Sequence, residues 1–101
     1  MDSSATRTSE PMATDVRVTE NELIVELIDG RTVSVPIAWF PRLLHGEPSE
    51  RANWRVIGRG EGIHWPDLEE DVRVEDLLTG NRSGEKQESL ARWLKSRERA
   101  G

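Results

Sequence analysis

His64 and the carboxylates that follow it, Asp67, Glu69, Glu70 and Asp71, are the densest group of reactive side chains in the sequence. An imidazole with a carboxylate three residues on can act as a general base or join a metal site. The same residue types also do plainer work, the ring bonding a carboxylate or the backbone to hold a turn. The four acids are hard oxygen ligands. An EF-hand, however, needs carboxylates at alternate positions, a glycine at the sixth and a distal glutamate, and that spacing is absent. With no Cys, no Tyr and only two histidines, His45 and His64, nucleophilic and redox mechanisms have few candidates. Gly58, Gly60 and Gly62 alternate as in a phosphate loop, but no helix opening on Lys-Ser/Thr follows, and a hairpin turn accounts for them. The expectation is a chain without catalytic residues, cofactor or metal. Its acidic run is then either a solvated turn before a helix N-terminus, which favours negative charge, or a landing surface for a basic partner.

The elements that must carry these residues are legible from periodicity. Val16 and Val18 alternate with Arg17 and Thr19, and Leu23, Val25 and Leu27 alternate with Ile24, Glu26 and Ile28. Asp29-Gly30 then precedes Thr32-Val33-Ser34-Val35, and such a pair between two alternating runs signals a hairpin whose two turn residues take positive φ. An antiparallel three-strand meander is expected over residues 15–36, closed by Pro36. Trp39, Phe40, Leu43 and Leu44 predict a short helix over 40–44 with Pro41 in its first turn, ending at Gly46. Pro48 can start one further helical turn. Trp54–Ile57 and Ile63–Trp65 read as a second hairpin about the glycine turn, with Ile63 and Trp65 inward and His64 outward. Residues 74–78 predict a short helix stopped by Gly80, and residues 87–99 a final helix carrying Leu90, Trp93 and Leu94 on one narrow stripe. The fold class is α+β.

The 101 residues allow one domain, bounded by a Ser/Thr-rich tail over 1–13 expected to be disordered and a basic extension over 81–101. Hydrophobic residues make up 35% and charged residues 33%, and the apolar ones concentrate between Val16 and Leu78, so the core is small and stability marginal. No run is apolar enough to cross a membrane, no signal-peptide pattern opens the chain, and the lack of Cys fits a reducing cytoplasm. Net charge is −5, but residues 14–80 are acidic and residues 81–101 basic, which argues against nucleic-acid binding by the body.

Gly62, Ile63, His64, Trp65, Pro66, Asp67, Leu68, Glu70, Asp71, Val72, Val74, Leu77 and Leu78, behind a β-meander, closely resemble the domain-of-unknown-function 2442 family of bacteria over roughly residues 14–80. Two departures stand out. Arg73 replaces a small capping Ser, leaving Asp71 as the nearest substitute, and Asp76 replaces a common Gly. The resemblance implies a small α+β domain with an N-terminal antiparallel sheet and no established catalytic residues. It further implies a gene neighbour from domain-of-unknown-function family 4160 and a pairing of the toxin–antitoxin kind. Some members of the family carry a C-terminal helix-turn-helix domain, and residues 81–101 are too few for one.

The charge asymmetry, the small core, the Trp-bearing last helix and the family resemblance point to a non-enzymatic protein-binding module, an antitoxin-like or adaptor subunit. Its expected contact residues are His64, Asp67, Glu69, Glu70 and Asp71 on the acidic body and Trp93 and Arg97 on the last helix. That helix, sparse in apolar residues, must dock on its own domain or on another chain; a homo-oligomer fits as well. Two rival readings fit the same sequence. One is a nucleic-acid-associated regulator using Arg82, Lys86, Arg92, Lys95, Arg97 and Arg99. The other is a metal-dependent enzyme centred on His64.

Overall fold

The computed structural model describes residues 11–100. Of the tail expected over residues 1–13, residues 1–10 lie outside the described residues, and Ala13 is not disordered but buried, opening the first strand.

Strands β1 (Ala13–Val18), β2 (Glu22–Leu27) and β3 (Thr32–Pro36) form an antiparallel sheet in that order. The side-chain period of two turns Leu23, Val25 and Leu27 inward, with Val16 and Val35 from the neighbouring strands. The Thr19 hydroxyl accepts N–H bonds from Asn21 and Glu22 and closes the first turn. At Asp29-Gly30 the hairpin differs from the expected two-residue turn. Leu27 N–H donates to the Arg31 carbonyl (2.8 Å), so the loop holds Ile28, Asp29 and Gly30, and of these only Gly30 has positive φ (95°). Asp29 keeps ordinary backbone angles because its carboxylate accepts from the Arg31 amide and side chain (3.0 and 2.8 Å), which shapes the turn from outside.

A single turn over Ile37–Trp39 leads into helices α1 (Pro41–Leu44) and α2 (Pro48–Ala52), each with proline in its first turn as expected. Glu47 and Glu50 cap α2 reciprocally. The second sheet holds three antiparallel strands where a hairpin of two was expected: β4 (Arg55–Ile57), β5 (Gly62–Trp65) and β6 (Glu70–Arg73), in that order. Helix α3 (Val74–Thr79) follows, ended by Gly80 in the left-handed region (φ 84°). Helix α4 (Gln87–Ala100) is the last element.

The glycine turn serves the junction of the two sheets. Ala13 N–H donates to the Gly60 carbonyl (2.7 Å), and a Cβ on Gly60 would stand 2.8 Å from the Ala13 carbonyl oxygen. Close backbone approach therefore explains a glycine that resembled part of a phosphate loop. Leu23, Val25, Leu43, Ile63, Trp65, Leu68 and Val74 are fully enclosed between the sheets and short helices. Of the tryptophans, Trp65 and Trp93 are buried, while Trp39 and Trp54 lie partly buried at the margin of the core.

Candidate functional site

Trp65 is buried and its indole N–H donates to the Arg51 carbonyl (3.0 Å), pinning β5 to α2. Alternation then forces His64 to the outer face of the sheet, where it lies directly across from Asp71 on β6. The His64 Nδ1 and an Asp71 carboxylate oxygen pair across the strands. Asp67, the sequence-adjacent partner, instead accepts a bond from the Asn53 side-chain amide (2.9 Å). Asp71 is thereby not a helix cap. The N-cap of α3 is Arg73, with no side-chain bond, and the acidic first turn of Glu75 and Asp76 complements the helix dipole instead.

The acidic run is thus divided by geometry. Pro66, Asp67, Leu68 and Glu69 form a turn, with Leu68 buried and Glu69 at φ 52°, a left-handed conformation uncommon for a side-chain-bearing residue. Glu70 and Asp71 then enter β6 on opposite faces, Glu70 opposite Trp65 on the inner side. Burial, with the Glu85 and Asp71 charges adding to it and Arg42 opposing, pushes the Glu70 carboxyl up to about 7.

Arg42, which the sequence reading did not single out, is the hub beneath this turn. Its guanidinium makes two bonds to Glu85 (2.7 and 2.9 Å) and reaches the Leu68 and Glu69 carbonyls (both 3.4 Å) and the Glu69 carboxylate (3.5 Å). Arg42 holds the Glu85 carboxyl below the usual range, helped by Ser89, whose hydroxyl donates to it (2.6 Å). The Arg42 and Arg97 guanidinium carbons lie 4.9 and 4.7 Å from the centre of the Trp93 ring. Arg97 also forms two bonds to Glu50 (3.1 and 2.7 Å). Trp93 is only 8% exposed, packed with Leu90 and Leu94 against the core. Helix α4 therefore docks on its own domain, and both Trp93 and Arg97 are engaged inside the chain. Arg97 joined to Glu50 is also one cation fewer for the nucleic-acid reading. Nothing local in the sequence signals Arg42–Glu85 or Arg97–Glu50, since the partners stand 43 and 47 residues apart.

Between β6 and the segment over residues 81–85 lies a cleft of about 510 Å³. Phe40 and Val72 supply its apolar lining, and Glu69, Glu70, Asp71, Asp76 and Glu85 its carboxylates. His64 does not line it. Among the described residues no group of three His, Cys, Asp or Glu is placed to hold a metal ion. A second cleft of about 390 Å³ lies between β1 and α2, beside Trp54.

The sequence profile of a family described as "Protein of unknown function (DUF2442)" matches residues 13–83, well over half of the chain. The chain belongs to the DUF2442 family. The matched DUF2442 segment contains the acidic turn, β6 and α3, and it ends within the far wall of the cleft, so Glu85 and α4 lie past it. A crystal structure of a protein of unknown function from Rhodospirillum rubrum is similar, with a TM-score of 0.67 and 25% identity over 76% of this chain and 95% of that one. A solution structure of an uncharacterised protein from Chromobacterium violaceum has a TM-score of 0.64 and 20% identity over 86% of this chain and 78% of that one, which speaks to the fold alone. None of the curated proteins compared matches this DUF2442 chain. No helix among the described residues is long and apolar enough to cross a membrane.

Proposed function

We propose that this DUF2442 protein is a non-enzymatic binding module of the reducing cytoplasm that grips a basic protein partner along the cleft beside β6. The observation that carries this reading is an imbalance of charge. Five carboxylates line the cleft, Glu69, Glu70, Asp71, Asp76 and Glu85, against three arginines, Arg42, Arg73 and Arg82, and Glu69 is exposed and Asp76 partly so. Complementary potentials of this kind steer association and select partners. The catalytic alternative is the weaker reading because His64 does not line the cleft, although its partner Asp71 does.

The finer reading is the antitoxin-like or adaptor member of a two-gene pair, whose partner is the neighbouring gene product. Co-expression tests it: the partner co-purifies with this chain, and Glu69→Lys with Asp76→Lys abolishes capture while the circular-dichroism spectrum of the folded chain is kept. A folded partner that never co-purifies overturns the two-gene reading.

A further inference from the structure

Strand β6 adds to the cleft something that carboxylates alone lack, a free backbone edge. In an antiparallel ladder, successive residues direct their N–H and C=O groups alternately to the two sides. Val74 N–H donates to the Glu61 carbonyl (2.9 Å), and in that register Val72 and Glu70 bond to Ile63 and Trp65. Asp71 and Arg73 consequently direct their backbone groups away from β5, where no strand pairs with β6 among the described residues. Both residues line the 510 Å³ cleft.

We propose that the cleft takes an extended segment of the partner protein bearing Lys or Arg, which joins the sheet as a strand alongside β6. This rests on the reading of the protein as a binder of a basic partner, and it states how that partner is held. In strand addition, main-chain bonds give affinity and alternate side chains give specificity. The edge offers two donors and two acceptors, from Asp71 and Arg73. A basic side chain of the segment meets Asp71 and the carboxylates of Glu69 and Asp76, while Arg73 selects for an acidic or neutral residue at its own position. Charged side chains on a short edge strand also discourage indiscriminate pairing, so only a segment of matching charge is admitted. A second copy of this chain is the poorer occupant, because it would bring the two acidic rims together.

The test uses the full chain, labelled for amide exchange, and a short end-blocked peptide of alternating lysine and valine. Two further versions carry N-methyl groups on one or the other alternate set of residues, with charge unchanged. Peptide binding is expected to slow exchange of the Asp71 and Arg73 amides about tenfold or more, in line with new hydrogen bonds. One methylated version is expected to bind about tenfold more weakly than the parent and the other to match it, since a strand presents alternate N–H groups to one edge. If both methylated versions match the parent and the two amides exchange unchanged, charge alone holds the peptide; the strand mode then falls while the basic-partner reading stands. If no version binds, strand addition falls, and co-purification with the neighbouring gene product decides the broader reading separately. Protection that grows with protein concentration in the absence of peptide assigns the edge to a second copy and overturns the proposal.

Discussion

Replacing Glu70 by glutamine should flatten the dependence of stability on pH. In the folded protein the Glu70 carboxyl is raised from 4.5 to about 7, chiefly by burial, with Glu85 and Asp71 adding to it and Arg42 opposing. The folded chain therefore holds a proton that the unfolded chain releases between about pH 4.5 and 7. Stability from this group is complete below the lower value and declines as pH rises through the upper one. At 1.36 kcal/mol for each pH unit of displacement, the loss by pH 8 has a ceiling of about 3 kcal/mol, and about 1–3 kcal/mol after allowance for water reaching a partly buried group. Glutamine resembles the protonated acid and has no proton to lose, so Glu70→Gln should match the parent near pH 4.5 and exceed it by about 1–3 kcal/mol at pH 8. Glu50 and Glu85, held low by Arg97 and Arg42, act the other way: their contribution is present above the ordinary glutamate range and disappears as pH falls. Both remain in the variant, so their effect cancels in the difference. Urea denaturation at pH 5, 6, 7 and 8 measures it. Parallel curves for parent and variant across that range would refute the assignment of Glu70 as the buried, proton-bearing acid.

Trp93→Ala should cost about 3–5 kcal/mol, as other large-to-small core changes do, and release α4, seen as lost helical circular dichroism; an unchanged midpoint would mean that the helix is not docked. Gly60→Ala should destabilise by about 1–3 kcal/mol, because φ is 113° and the new Cβ would press on the Ala13 carbonyl, whereas Gly84→Ala, with open space around it, should be neutral by the same denaturation assay. A double-mutant cycle on Arg97→Ala and Glu50→Ala should return a coupling of about 0.5–1 kcal/mol, and zero coupling would mean that the two-bond contact is absent in solution. Binding of a lysine peptide should tighten as pH rises through about 7, where Glu70 gains its charge; calorimetry showing no change from pH 6 to 8 would separate Glu70 from the binding surface.

The parts of the fold that were legible beforehand are those where side-chain period and burial agree. Leu23, Val25 and Leu27, and Ile63 and Trp65, declare strands because their polar neighbours face outward. Strand β6 escaped because Glu70 occupies an inward position, leaving Val72 as its one buried apolar residue and making a half-enclosed strand read as a solvated acidic turn. The turn at Asp29-Gly30 was recognised from composition, but its length depends on the Asp29 carboxylate bonding to Arg31, which composition does not reveal. At the candidate site the pairing of His64 with a carboxylate was foreseeable, and its identity was not: Asp71 is brought opposite by register, a property of strand pairing rather than of proximity along the chain. Trp93 was recognisable as an anchor, yet its direction was decided by Arg42, Glu50 and Glu85 at long separations.

Arg42 joins two parts of the molecule that otherwise have little in common. The same guanidinium steadies the carbonyls of the bend after Trp65 and tethers the approach to α4 through Glu85. Whatever competes for Glu85 must loosen that tether, and whatever secures the helix must stiffen the bend, since coupling between two sites acts equally in both directions. The far end of the chain should therefore sense occupancy of a place it does not touch, and solvent exchange along α4 should serve as a remote gauge of it.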